Sequence, residues 1–134
     1  MPNILFKVIY PGYLNRYYSG LLDTGAAATL FSINCLPEWK KLKVPINLKG
    51  FNDEGNKIEN YNENIYIQIF DKKLKIPKVY GFDLTNKDII IGWNFIKLYL
   101  PISIHATYVS FTTNCDKRIV KSPIVANQKR KPQE

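Results

Sequence analysis

The residue best suited to chemistry is Asp23, in the stretch LLDTGAAATLFS. It is the only acidic side chain in the first 37 residues. Placing a carboxylate in apolar surroundings costs free energy unless hydrogen bonds satisfy its charge or the charge is neutralised. A strand that ends at Asp23 and turns at Gly25 predicts a tight loop that presents the carboxylate on backbone amides, with Ala26 and Ala27 leaving room around it. The local alternative is an Asx turn, in which Asp23 only caps the corner.

Other residues offer weaker chemistry. Asp53 and Glu54 form an adjacent acidic pair, but neighbouring acids in a turn are usually just solvated. His105 is the only histidine, and the sequence suggests no partner that would make it a base. Trp39 and Trp93 could stack on a ligand, although packing in a core or an interface is the commoner role of tryptophan.

The two cysteines, Cys35 and Cys115, are isolated from each other in the sequence. They form no Cys-x-x-Cys pair and no metal-ligand spacing, so we expect no metal, no cofactor and no Cys-His nucleophile. Lone thiols favour a reducing compartment. The N-terminal sequence lacks the pattern of a secretory signal, and no apolar run approaches the ~20 residues that span a membrane. We therefore expect a chain that is neither secreted nor bound to a membrane.

The chain is strongly basic. The chain has 19 lysine and arginine residues and 11 aspartate and glutamate residues, which gives a net charge of +8. Such a chain attracts polyanions at low salt, but a dedicated nucleic-acid module would interleave aromatic residues with arginines on one sheet face. Only three arginines occur, two of them beyond residue 117. A lysine-rich solvated surface is therefore favoured, and nucleic-acid binding is expected to be at most non-specific.

The elements that must position these residues are short strands, because alternating or apolar runs are separated by turn residues. The sequence predicts a single all-β domain with about one short helix. A hairpin is predicted with arms VPINLKGF and KIENY and with Gly55 near its tip. From about Thr112 the chain becomes polar and basic. Residues 1–111 are therefore predicted as the folded domain and 112–134 as a flexible basic tail.

Downstream of Asp23, the segment DIIIGWNF places an apolar run directly before Gly92. Together with LLDTGA, this segment resembles the retropepsins, the retroviral-type aspartic proteases. The run WNFIKLYLPISI and the segment IPKVY are most similar to the polyprotein proteases of plant pararetroviruses, the caulimovirus and badnavirus group. The resemblance covers roughly Ile4 to Phe111.

The resemblance implies a retropepsin-like β-barrel, closed or partly open, with a flap hairpin. It implies that Asp23 is the catalytic aspartate, that Thr24 ties together the loops of two subunits, and that Gly25 lets substrate approach. The strand before Gly92 is expected to pass behind this loop. Residues implied to contact substrate are Ala26, Ala27, Asp53, Glu54, Gly55, Asn56 and Ile91.

The implied chemistry needs two aspartates that share a proton and activate water. The chain has one Asp-Thr-Gly, and the nearest second candidate, Asp83 in FDLTN, lacks the glycine. We therefore expect a homodimer that cleaves a viral polyprotein, in the host cell cytoplasm or in the virus particle. Many relatives have an ion pair where Ala27 and Trp93 stand here, so the dimer is expected to be weak. The alternative is a non-catalytic interaction module of the same fold.

Overall fold

The computed structural model describes residues 2–47, 57–84, 87–113 and 117–126. In these residues the chain forms twelve strands and one short helix. The strands are β1 (Asn3–Tyr10), β2 (Leu14–Leu22), β3 (Thr29–Ser32), β4 (Lys40–Asn47), β5 (Lys57–Asn62), β6 (Ile65–Ile69), β7 (Lys72–Ile76), β8 (Val79–Phe82), β9 (Ile89–Ile91), β10 (Ser103–Ile104), β11 (Tyr108–Thr112) and β12 (Ile119–Val125). The helix α1 (Trp93–Ile96) follows β9 directly. The predicted all-β class with one short helix is confirmed.

The strands form one open sheet in the order β10-β11-β12-β1-β2-β9-β3-β8-β5-β4. The strands β6 and β7 branch from it, since β6 pairs with β1 and β7 pairs with β6. Most pairs are antiparallel, but β2 runs parallel to β9 and β3 runs parallel to β8. The strand β9 therefore lies between β2 and β3, the two strands that the Asp-Thr-Gly loop connects. Among the described residues, no helix has the length and apolar character needed to cross a membrane.

Two apolar clusters fill the two faces of this sheet. Alternate residues of a strand point to opposite faces, and in β1 Ile4, Phe6 and Val8 are fully or almost fully buried in the main core. In β9 the middle residue, Ile90, points the other way and joins a smaller cluster with Leu30. The two faces of β3 and β9 are thus both apolar, which explains why these strands appear in the sequence as unbroken hydrophobic runs.

The predicted hairpin is formed by β4 and β5, which pair antiparallel with Lys40 opposite Tyr61 and Ile46 opposite Ile58. A shift in register lies between Lys41 and Ile46. The predicted tip, with the substrate-contacting residues Asp53, Glu54, Gly55 and Asn56, lies outside the described residues, so these positions stay a prediction.

The base of this hairpin is anchored by buried polar contacts. The Asn62 side chain is fully buried, and its Nδ2 donates to the Glu38 carbonyl at 3.0 Å. The Tyr10 hydroxyl donates to Glu38 Oε1 at 3.0 Å. Burial, and then this hydrogen bond, raise the pKa of the Tyr10 phenol above its ordinary value. The phenol therefore stays protonated, and acts as a donor, well above neutral pH.

The strand β12 lies inside the segment that we predicted as a flexible tail. It pairs with β11 and, through Ile4 opposite Ile124, with β1. Ser122 is fully buried and its hydroxyl donates to the Leu5 carbonyl at 3.2 Å. The expectation of a loose tail from residue 112 is wrong for residues 119–125, because the polar and basic residues on either side concealed a short strand in which Lys121 points outward while Val120 and Ser122 point inward.

Candidate active site

The Asp-Thr-Gly loop extends the sheet at the end of β2. The register of β2 and β9 places Leu22 opposite Ile91. The pairing continues one residue further, since the Asp23 N–H donates to the Ile91 carbonyl at 2.9 Å. The predicted strand behind the catalytic loop is therefore present, and it fixes the backbone of Asp23 from behind.

The loop then turns tightly on itself. The Ala26 N–H donates to the Asp23 carbonyl at 3.2 Å, and the Gly25 N–H donates to Asp23 Oδ1 at 2.9 Å. The second contact is that of an Asx turn, so the local alternative describes the geometry of the loop correctly. It uses only Oδ1: the other carboxylate oxygen of Asp23 makes no hydrogen bond within the part of the chain that the structure describes. The Asp23 side chain is half-buried, so this oxygen is available to a ligand.

Gly92 permits the closest backbone approach at the site. A Cβ placed on Gly92 would lie 2.1 Å from the carbonyl oxygen of Ala28 and 2.8 Å from that of Ala26. Contacts this short between real atoms do not occur, so only glycine fits. This close approach lets the next two residues hydrogen-bond to the loop. The Trp93 N–H donates to the Ala26 carbonyl at 2.7 Å, and the Asn94 N–H donates to the Ala27 carbonyl at 3.3 Å.

A buried threonine joins the loop to the helix start. The Thr29 hydroxyl donates to Asn94 Oδ1 at 2.7 Å and accepts from the Gly92 N–H at 3.1 Å. Asn94 Nδ2 in turn donates to the Lys78 carbonyl at 3.0 Å, just before β8. Thr29 and Asn94 therefore hold together β3, the start of α1 and the segment just before β8. Neither residue was predicted to have a role. Both were visible as polar residues in apolar motifs, but their pairing depends on a sheet topology that the sequence does not display.

An apolar wall adjoins the carboxylate. The smaller cluster comprises Leu30, Ile58, Leu84 and Ile90, with the half-buried residues Leu21, Ala26, Leu42, Ile46, Tyr80 and Phe82 packed against it. Asp23 follows Leu21 by two positions and continues the pairing of its strand, so both side chains project toward this face. Apart from Ala26, the partly exposed members of the wall were not predicted as site residues, because nothing in the sequence separates them from ordinary core residues.

The other predicted site residues fall into distinct places. Ala27 is exposed beside the loop, and Ala26 packs against the apolar wall. Ile91, which we predicted to contact substrate, is fully buried in the main core. That assignment is wrong for its side chain, because neighbouring strand residues point to opposite faces and Ile90 takes the site-facing position.

The remaining candidates do not join this site. Trp39 packs against the main core, and its Nε1 donates to the Ile33 carbonyl at 2.9 Å, which confirms a packing role. His105 is exposed between β10 and β11, and its ring stacks on Tyr108 with centroids 4.3 Å apart. In the described part of the chain, no three His, Cys, Asp or Glu side chains are grouped to hold a metal ion.

The front of the loop faces solvent. Thr24, Gly25 and Ala27 are exposed, and the described residues offer no hydrogen-bond partner to the Thr24 hydroxyl. Trp93 lies next to them, since its N–H is bonded to the loop, and its side chain is 41% exposed. A large aromatic surface and a free hydroxyl are therefore left open beside the carboxylate.

Comparisons with known proteins bear on this geometry. The family model described as the Cauliflower mosaic virus peptidase (A3) matches residues 2–132. The polyprotein of Cassava vein mosaic virus is 39% identical over 115 residues, which cover 83% of this chain and 18% of that protein. The enzymatic polyprotein of Figwort mosaic virus is 32% identical over 105 residues, 75% of this chain and 16% of that protein. The chain thus spans less than a fifth of the length of these relatives.

Among solved structures, the retroviral protease-like domain of Ddi1 from Leishmania major is similar in fold. The TM-score is 0.57, and the match covers 96% of this chain and 98% of that one. The sequence identity is only 11%, so this likeness concerns the fold alone. The retropepsin-like fold implied by the two motifs is confirmed, and the chain belongs to the Cauliflower mosaic virus peptidase family.

Proposed function

We propose that this chain is an aspartic endopeptidase that cleaves a viral polyprotein, itself included, with two Asp23 carboxylates supplied by the two copies of a homodimer. The observation that carries the proposal is the state of Asp23: β9 and the loop hold its backbone and one carboxylate oxygen, while the other oxygen makes no hydrogen bond among the described residues. Each chain has one such carboxylate, and the chemistry of this class uses two.

The reaction follows from the pair of carboxylates. Two carboxyl groups a few ångströms apart hold one proton between them, because both cannot be ionised at that range. The ionised partner takes a proton from water as the water attacks the peptide carbonyl, and the protonated partner donates to the carbonyl oxygen. Because the pair titrates as a unit, activity is highest in mildly acidic solution and falls when both carboxylates are ionised.

The apolar wall gives the site its substrate class. Leu21, Tyr80 and Phe82 are partly exposed on the face that Asp23 shares, so apolar side chains flanking the scissile bond would gain by burial there. An extended peptide lying along this wall, to which the β4–β5 hairpin contributes Leu42, Ile46 and Ile58, would add its backbone to a strand edge. The substrate class that fits is an extended, apolar segment of a polyprotein.

The exposed front of the loop fits a second copy of the chain. The Thr24 hydroxyl has no hydrogen-bond partner among the described residues, and Trp93, whose N–H is bonded to the loop, leaves its side chain 41% exposed. In a symmetric dimer the same patch meets itself across the two-fold axis. Thr24 then bonds to the backbone of the partner loop, and the two Trp93 side chains lose exposed area.

A mixing experiment tests both parts of the proposal. At a total concentration at which sedimentation shows dimers, a fivefold excess of the Asp23→Asn chain should reduce cleavage by a fixed amount of unchanged chain to about one sixth, as random pairing into two-fold dimers requires. Asp23→Asn alone should be folded and inactive, since the substitution removes a charge and almost no volume. A pepstatin-type inhibitor should abolish the remaining activity.

The matched control is Asp83→Asn, the same substitution at the exposed aspartate of FDLTN, which lacks the glycine of the Asp-Thr-Gly motif. It should cleave normally and should not inhibit in mixtures. If Asp23→Asn leaves cleavage unaffected, the catalytic assignment fails. If Asp23→Asn is inactive but does not inhibit, the site is built within one chain and the dimer fails. A folded chain that cleaves no polyprotein under any of these conditions favours the non-catalytic module.

A further inference from the structure

A second surface of the molecule collects lysine and tyrosine side chains on one sheet face. The register of β1 and β2 places Lys7 opposite Tyr17, and that of β1 and β6 places Lys7 opposite Gln68. Residues directly opposite each other in a ladder lie on the same face. The register of β6 and β7 then adds Tyr66 with Lys75, and Gln68 with Lys73. We call Lys7, Tyr17, Tyr66, Lys73 and Lys75 the lysine–tyrosine face.

This face is open to solvent and points away from the main core. The alternate residues of the same strands, such as Val8 and Ile67, are fully buried, so the lysine–tyrosine face takes the outward positions. The Tyr17 side chain is 64% exposed, and Lys73 and Lys75 are exposed. The four strands β2, β1, β6 and β7 cover about 14 Å at the usual spacing between strands. The face therefore offers a surface wide enough for several units of a chain-like ligand, with Lys7 and Tyr66 half-buried on it and Tyr17, Lys73 and Lys75 exposed.

The charges on the face are not neutralised within the described residues. Lys73 and Lys75 make no ion pair there, and Lys7 Nζ lies 5.0 Å from the centroid of the Tyr17 ring. No outward position of β1, β2, β6 or β7 is an aspartate or glutamate. The acidic residue next to the face along the chain is Asp71, at the turn between β6 and β7. The surface is positive without compensation, which suits a polyanion.

The same pattern continues onto the neighbouring hairpin. The strand β12 lies beside the first half of β1. There Lys121 Nζ lies 5.0 Å from the centroid of the Tyr108 ring. The His105 ring stacks on the same tyrosine. A second lysine–tyrosine pair therefore extends the positive surface by two strands, again with a ring at the protein surface.

We propose that the lysine–tyrosine face binds single-stranded nucleic acid without sequence preference. Lysines would neutralise the phosphates, and the tyrosine rings offer apolar surface on which unpaired bases stack. Acidic peptides could use the lysines but not the rings, and a duplex keeps its bases stacked inside. Rings and cations brought together on one sheet face, as Tyr17 with Lys7 and Tyr66 with Lys75 are here, form the kind of surface that single strands use. The count of arginines in the sequence could not reveal it, because here the cations are lysines brought together by strand register.

This site is separate from the catalytic loop. Tyr17 precedes Asp23 by six residues on an extended strand, or about 20 Å. Binding at the face therefore does not depend on the proposed protease activity, and it can be measured on the intact chain with no peptide substrate present.

The test is fluorescence anisotropy of labelled oligo(dT) of about 16 nucleotides, the upper site size of a single domain. The variant Lys7→Gln/Lys73→Gln/Lys75→Gln should lower affinity at least tenfold. It should also flatten the dependence of log affinity on log salt by about 2, since each phosphate contact on a single strand contributes about 0.7. The variant Tyr17→Leu/Tyr66→Leu should weaken binding about fivefold and leave the salt slope unchanged. Circular dichroism and urea unfolding establish that both variants are folded.

The matched control, Lys40→Gln/Lys41→Gln/Lys43→Gln, removes the same charge from exposed lysines of the edge strand β4. It should change affinity less than threefold. Equal losses in the two triple variants would show attraction to net charge alone and overturn the proposal. So would loss of binding only in Lys129→Gln/Arg130→Gln/Lys131→Gln, which would assign it to the C-terminal residues. Binding of duplex DNA or inorganic polyphosphate as tightly as oligo(dT) would also overturn it, because neither offers unpaired bases.

Discussion

The back and the front of the Asp-Thr-Gly loop differ sharply, although only a few residues separate them. Behind the loop, Gly92 lies so close to Ala28 that no side chain fits, and the Thr29 hydroxyl is hydrogen-bonded to both Gly92 and Asn94. In front, Thr24 is exposed and its hydroxyl makes no hydrogen bond within the described residues. The contacts behind the loop are all made within a single chain. In front of the loop, a hydroxyl and apolar surface stay exposed.

The difference indicates what a single chain can and cannot supply. Buried polar groups must find partners inside the chain, so the back of the loop is rigid by necessity. Exposed groups carry no such requirement, and their partners can belong to another molecule. Substitutions behind the loop should therefore act on folding and on the placement of Asp23, whereas substitutions in front should act on association.

The largest effect is expected from Gly92→Ala. Its Cβ would meet the backbone of Ala28 at 2.1 Å, and backbone cannot move aside as a side chain can. We expect a loss of more than about 4 kcal/mol in the free energy of unfolding, or failure to fold. Urea unfolding followed by circular dichroism measures it.

A glycine with open surroundings provides the control. Gly12 has a φ of +83° and no atom within 4 Å of an added Cβ. Gly12→Asn should change the free energy of unfolding by less than about 1 kcal/mol, because asparagine tolerates positive φ better than most residues. Comparable losses in both variants would mean that the approach of Gly92 to the loop is not what stabilises the back.

Much of this back was predictable from the sequence. The strand before Gly92 and its place behind Asp23 follow from the resemblance, because two short motifs fix which strands flank the loop. The Thr29–Asn94 contact was not predictable, since it joins residues 65 positions apart. Ile91 was misassigned because a run of three isoleucines does not reveal which one faces the site. The strand β12 was missed because the sequence on both sides of IVKSPIV is polar and basic.

A smaller effect behind the loop is expected from Thr29→Val. Valine keeps the shape of threonine but leaves the Gly92 N–H and Asn94 Oδ1 without the hydroxyl between them. A buried group left unsatisfied costs about 1–3 kcal/mol. We expect a loss in that range and a fall in kcat with little change in KM, because Asp23 is displaced while the apolar wall remains.

Thr29→Ser is the rescue variant, since it keeps the hydroxyl and loses only a methyl group. It should recover most of the kcat and most of the stability. If serine is as damaging as valine, packing rather than hydrogen bonding explains the role of Thr29. Peptide cleavage and urea unfolding on the same preparations distinguish the two.

In front of the loop, Trp93→Ser should act on association. Removing a buried interface tryptophan commonly costs 1–2 kcal/mol or more, so we expect the concentration for half-maximal specific activity to rise about tenfold. The single chain also loses the packing of the buried part of this side chain, which is 41% exposed, so urea unfolding is measured on the same preparation and association is compared only where the variant is folded. Tyr13→Ser, at a 58% exposed aromatic in the turn at the far end of β2, is the control and should leave the concentration dependence unchanged.

The smallest expected effect is that of salt. Each chain carries a net charge of +8, so two chains repel one another when they meet. Raising NaCl from about 0.1 M to about 1 M shortens the screening length from about 10 Å to about 3 Å. At dilute protein, specific activity and the sedimenting dimer fraction should rise together by a few-fold, whereas at protein concentrations that saturate the dimer the rate should hardly respond. Oligo(dT) binding should fall over the same range, because counterion release favours low salt. A cleavage rate that falls with salt at dilute protein, while the dimer fraction rises, would place the charges in substrate binding instead of at the front of the loop.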